Sequence, residues 1–167
     1  WVGMYGGGLA RLQHGAWTRW HGANSALPSD LVIDFELVTA RDGDTEAWIG
    51  TRGGLAILRH DHDWNTGDPR IPQLHERVRS VLHTRDSQGV PVVWVGSDTG
   101  AVRTRLEGPW RLVSRLGSGG NGIWGLWVDS ATDGSDRIWL ASDGDGVASY
   151  EDGRWKRYLR ADGLPND

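Results

Sequence analysis

The sequence predicts an all-β chain, a β-propeller segment built from four-stranded antiparallel blades of about 46 residues. Three observations predict it. Tryptophan recurs on a fixed lattice, glycine clusters between short apolar runs, and no stretch sustains the 3.6-residue period of a helix.

The lattice is arithmetical. Four segments align, WVGMYGGGL (1–9), WIGTRGGL (48–55), WVGSDTGAV (94–102) and WLASDGDGV (139–147). Their leading residues Trp1, Trp48, Trp94 and Trp139 are spaced by 47, 46 and 45, and Trp17, Trp64, Trp110 and Trp155 repeat those spacings. Within each unit the two Trp lie 16 residues apart, while the interval to the next unit falls from 31 to 30 to 29. A rigid core joined by connections that tolerate length change is how fixed elements and surface loops behave. Eight of the 11 Trp sit on the lattice, so a repeated core position is the expected explanation.

The elements follow in order around each leading Trp. A first strand precedes it in LVIDFELV (31–38), RVRSVLHT (77–84) and GIWGLWVD (122–129). The second strand carries the Trp itself, and in AWIG both faces are apolar, with Ala47 and Ile49 opposite Trp48. Such a strand is covered on both sides. The glycine two residues after Trp1, Trp48 and Trp94 is expected to leave room for the indole. Gly53–Gly54 and Asp98–Gly100 supply a hairpin turn into a third strand, LAILR (55–59) or GAVRTRL (100–106). The turns QHGA, EGP and EDGR lead to a fourth strand, WTRW, WRLV or WKRY. The expected blades are 1–20 (incomplete), 31–67, 77–113 and 122–160, about three and three-quarter blades in all. Propellers close with roughly four to eight blades, so part of a larger ring is the favoured reading. A four-bladed ring completed by a missing strand is the alternative.

The segments VRSVLHTRDSQG (78–89), WIGTRGGL (48–55), DGRW (152–155) and DGLPND (162–167) together resemble the two-component regulator propeller repeat. The resemblance spans nearly the whole chain. It departs at Ala141–Ser142, where other units have Gly-Thr or Gly-Ser, and at Glu36, which stands at an expected apolar position. The family implies a periplasmic or extracytoplasmic sensor that binds a small molecule or oligosaccharide. It further implies partners in the remaining blades and in a downstream signalling domain, a sensor kinase or diguanylate cyclase, and is compatible with a homodimeric receptor.

Bulk properties narrow the classes. A net charge of −4 gives no reason to expect nucleic acid as a partner, which usually demands a basic face. There is no Cys for a disulfide or thiolate metal site, and no apolar run approaches the roughly 20 residues of a membrane span. The opening residues show no targeting signal and no initiator Met, which points to a piece of a longer chain.

The candidate ligand-binding residues are Trp20, Asp34, Arg52, Arg79, Asp98, Trp124 and Asp143. Arg52, Asp98 and Asp143 occupy the turn after each second strand. Trp124 aligns with Arg79, and with Asp34 at 45-residue steps. Trp20 begins the long connection on the same face, while Trp127 aligns with Leu82 and is expected in the core. An aromatic among charged groups at a funnel mouth suits a polar, ring-containing ligand.

Other motifs have plainer readings. HDHDW (60–64) is expected to be a solvated turn, with no third metal ligand in sight. GSGGNG (117–122) leads into a strand without a following Lys, unlike a phosphate loop. DGSD (133–136) and DGDG (143–146) lack the full oxygen set of a calcium loop. No catalytic constellation, metal or cofactor is expected in these residues. A propeller enzyme of the lyase or quinone-dependent dehydrogenase type, with its catalytic groups in other blades, is the alternative class. A protein-interaction scaffold is the third, and it predicts an apolar entry face.

Overall fold

The computed structural model describes residues 1–40, 42–86, 88–106, 108–114, 122–130, 136–151 and 153–166. It is a β-propeller segment of four successive antiparallel sheets. The first contains β1 (Val2–Met4), β2 (Gly8–Gln13) and β3 (Ala16–Trp20). The second contains β4 (Val32–Thr39), β5 (Thr45–Thr51), β6 (Gly54–Arg59) and β7 (Asp63–Asn65). The third contains β8 (Val78–Arg85), β9 (Pro91–Ser97), β10 (Gly100–Arg105) and β11 (Arg111–Ser114). The fourth contains β12 (Ile123–Ser130), β13 (Asp136–Ser142), β14 (Val147–Glu151) and β15 (Arg154–Tyr158). Each is a meander in chain order, and β8 packs against both β4 and β12, so the first strands form the inner edge of the array.

One apolar core fills each of the three joints between sheets. Leu9, Leu27, Val32, Ile49 and Leu58 close the first. Trp48, Leu55, Val78, Val93 and Val102 close the second. Leu82, Trp94, Ile123 and Leu140 close the third. The partners recur by rule. Trp48 meets Trp110 of the next sheet, with ring centroids 5.9 Å apart. Trp94 reaches Trp155 through Tyr150, at 5.2 and 4.9 Å. Trp1 and Trp64 flank the first joint. At the second and third joints the second-strand Trp therefore packs against an aromatic of the sheet that follows, Trp110 or Tyr150.

This rule corrects the expectation that all lattice Trp are core. Trp48 and Trp94 are 3% and 2% exposed, but Trp17 is 58% exposed. Trp17 lies on the face of β3 turned away from the second sheet, and no described residues pack beyond it. Trp155 is also partly open, because an outermost strand is covered on one side. Trp127 is 70% exposed rather than core. It pairs with Trp139 on the outer face of the fourth sheet, which has no neighbour among the described residues.

The motif glycines have a different role from the one expected. A Cβ on Gly3, Gly50 or Gly96 would lie 2.7–2.8 Å from a side-chain methyl of Val32, Val78 or Ile123 respectively. The vacancy admits the first strand of the next sheet, not the Trp ring. The buried indoles are satisfied locally. Trp48 Nε1 donates to Glu46 at 2.8 Å, and that carboxylate also pairs with Arg59 at 2.6 Å. Trp94 Nε1 donates to Thr84 Oγ1 at 3.2 Å.

Glu36 belongs to a regular first strand. It lies opposite Trp48, as Leu82 lies opposite Trp94 and Trp127 opposite Trp139. It thus occupies an interface position, where partial burial, reinforced by the nearby Asp34 charge, raises its carboxyl above the usual range.

Candidate functional site

The turns after the second strands and the connections between sheets share one face of the array. Two kinds of position build its mouth. The first is the residue that opens the turn after each second strand. These are Tyr5, Arg52, Asp98 and Asp143, each four residues after its leading Trp. Tyr5, Arg52 and Asp143 are exposed and Asp98 is half-buried.

The second is a bulge near the start of each first strand. Pairing skips one residue between Val32 and Asp34, between Val78 and Ser80, and between Ile123 and Gly125. The skipped residues are Ile33, Arg79 and Trp124. A bulge re-aims its side chain out of the regular alternation. Ile33 and Trp124 are accordingly exposed at the inner rim, Trp124 to 56%.

Arg79, Asp98 and Trp124 are brought together. Arg79 Nε donates to Asp98 Oδ1 at 2.6 Å, and its guanidinium carbon lies 4.0 Å from the centroid of the Trp124 ring. Arg77 is a more distant neighbour of Asp98, at 3.9 Å. The approach of the fourth sheet is tight here. Gly122 adopts φ +62, and a Cβ on it would lie 2.8 Å from Asp98 Cα. Only a residue without a side chain fits that entry. The result is a largely covered cation stacked on an exposed aromatic ring, with a carboxylate fixing its position. Such a surface can stack a flat or ring-shaped polar ligand and hydrogen-bond its substituents. Arg52 and Asp143 lie on the same face in their own turns, and no contact joins them to this trio among the described residues.

Two expected site residues are placed elsewhere. Trp20 is only 5% exposed. It stacks on Trp1 at 5.5 Å and donates its Nε1 to the Asp61 carbonyl at 3.1 Å, so it is a core residue of the first joint. Asp34 is not the counterpart of Arg79. The second and third units differ by 46 residues, which makes Ile33 the counterpart and sets Asp34 level with Ser80. The Asp34 carboxylate is committed to the protein. It accepts from the Phe35 and Val81 amides, both at 2.9 Å, and from Ser80 Oγ at 3.2 Å. Tyr5 and Ile33 are the rim positions that the sequence reading missed, and the lattice arithmetic would have found both.

The opposite face carries the HDHDW segment. His60, Asp61 and His62 form the turn between β6 and β7, so the two His do not share a strand face. His60 Nε2 lies 2.6 Å from Asp44 Oδ2, with Asp42 beside them, and all three residues are exposed. This is a hydrogen-bonding contact between two neighbouring turns. In DGDG, Gly146 O accepts from Ser142 N and Oγ, at 3.1 and 2.9 Å, which closes the turn. Of GSGGNG only Gly122, and of DGSD only Asp136, fall within the described residues.

No family model matches the chain, and no curated protein matches it. Among solved structures it is similar to the extracellular domain of a protein assigned as a one-component system in B. thetaiotaomicron. The TM-score is 0.67 at 18% identity, over 96% of this chain and 22% of that one. The chain thus spans about a fifth of the length of that structure, and at this identity what the two share is the fold.

Proposed function

We propose that the chain is a ligand-binding part of a sensory propeller, and that its ligand is a small polar molecule or oligosaccharide held at the mouth. Trp124 supplies the stacking face, while Arg79 and Asp98 supply fixed polar groups beside it. Tyr5, Arg52 and Asp143 line the surrounding rim. The observation that carries this reading is the exposed Trp124 ring stacked on an Arg79 that Asp98 anchors at 2.6 Å. Mixed charge and aromatic character at the entry face favours a ligand site over the broad apolar patch of a scaffold. The repeat resemblance, and the description of the similar structure as an extracellular domain, support an extracytoplasmic receptor whose occupancy reaches a signalling domain.

A thermal-shift screen against an oligosaccharide panel tests this. A ligand at about 100 times its Kd adds about 2.7 kcal/mol, and hence roughly 5–10 °C in Tm. Trp124→Ala should abolish the shift and leave the unliganded Tm within about 2 °C. No shift with any sugar, together with a shift for a metal or redox cofactor, would move the assignment to the enzyme class.

A further inference from the structure

The residue that follows each bulge reaches across to the next sheet. Asp34 Oδ2 accepts from Val81 N and Ser80 Oγ. Ser80 Oγ in turn accepts from Leu126 N at 3.3 Å. Phe35, Val81 and Leu126 occupy equivalent positions, each opposite a residue just after its sheet's leading Trp. Val81 N and Leu126 N belong to strands that form the inner edge of their sheets. An amide in such a place needs an acceptor from elsewhere. The preceding sheet provides it, from Asp34 to the third sheet and from Ser80 to the fourth. Gly125, level with Asp34 and Ser80, carries no acceptor, so the series stops there.

These bonds grip the chain within two residues of the bulges. Asp34 holds Ser80 and Val81, immediately after Arg79. Ser80 holds Leu126, two residues after Trp124. Both acceptors are largely covered, and Ser80 is buried.

We infer that Asp34 and Ser80 are positioning residues that fix the bulged conformations of the third and fourth sheets, and so set where Arg79 and Trp124 stand at the mouth. Asp34 acts on Arg79 and Ser80 acts on Trp124. The hydroxyl of Ser80 links the two, donating to Asp34 while accepting from Leu126. A change at one inner strand is therefore transmitted to the next through a single oxygen. The assignment concerns the unliganded protein and stands apart from the ligand reading.

The test is ¹⁹F NMR of protein labelled with 5-fluorotryptophan, with the Trp124 line identified by its loss in Trp124→Phe. Ser80→Ala should shift or broaden the Trp124 line and leave the Trp48 line in place. Ser80→Thr, which keeps the hydroxyl, should restore it. Asp34→Asn, which removes the charge and one of the two accepting oxygens, should move the same line through Arg79, and it serves as the reading if Ser80→Ala does not fold. An unmoved Trp124 line overturns the inference. So does a uniform displacement of all the Trp lines, which would make the role merely structural.

Discussion

The joint between the second and third sheets and the outer face of the fourth sheet are built from the same repeat positions, yet they behave differently. At the joint, Gly50 leaves a vacancy that Val78 fills, and Trp48 is sealed beneath Trp110. On the outer face Ala141 replaces the glycine, Trp139 is only partly covered, and Trp127 stands in the open. The repeat supplies large apolar side chains at fixed places. Whether they become core depends on what lies against the sheet, because burial arises pairwise between neighbours. The comparison also separates two roles that one motif combines. The Trp contributes apolar area, and the Gly two residues later sets how closely the next sheet can approach.

The largest expected effect contrasts the two regions directly. Trp94→Ala empties a sealed position and should cost about 3–5 kcal/mol in urea unfolding. Trp127→Ala removes an equally large ring from the outer face, and in this chain should stay within about 0.5 kcal/mol. Equal losses would mean that sheet context does not decide burial.

The next effect concerns spacing. Gly50→Ala places a methyl against Val78 and should cost about 1–3 kcal/mol. Combining it with Val78→Ala should cost less than the two changes added separately, since the pair shares one space. Strict additivity would remove the close-approach argument. Ala141→Ser, with no opposing side chain among the described residues, should stay within about 0.5 kcal/mol.

The smallest effect is a pH dependence at the same joint. The Glu36 carboxyl is raised by burial and by Asp34, so the folded chain holds this proton more firmly than the unfolded chain. Its contribution to stability is fullest below the unfolded value of 4.5 and declines as pH rises through the raised folded value. Glu36→Gln should flatten that decline and raise the midpoint of urea unfolding at neutral pH relative to pH 4. A parallel pH profile in both proteins would assign the slope to other groups.

Much of the fold was legible because the lattice is rigid. A constant separation of 16 between the two Trp marks a hairpin that does not change length, and drifting intervals mark the loops. The candidate site was legible in part, and the errors share one physical source. Bulges and loop lengths displace equivalent positions by single residues, and on a strand one residue exchanges the two faces. A step of 45 where the sheets differ by 46 put Asp34 in place of Ile33. Trp20 stands off the Trp lattice, which makes it look like a rim aromatic; of its counterparts Gly67, Val113 and Tyr158, the last two pack against neighbours. The Arg79–Trp124 stack lay beyond sequence reasoning, since it depends on two bulges aligning across a joint.

The close approach of a second-strand Gly to the first strand of the following sheet gives the array a polarity. The surface that offers glycine and the surface that offers Val or Ile are different, so each joint is head-to-tail and cannot be turned round. Two glycine-bearing faces brought together would leave paired hollows, and two valine-bearing faces would collide. A whole repeat can therefore be gained or lost by duplication or deletion without redesigning any joint, whereas a reversed repeat would spoil two at once.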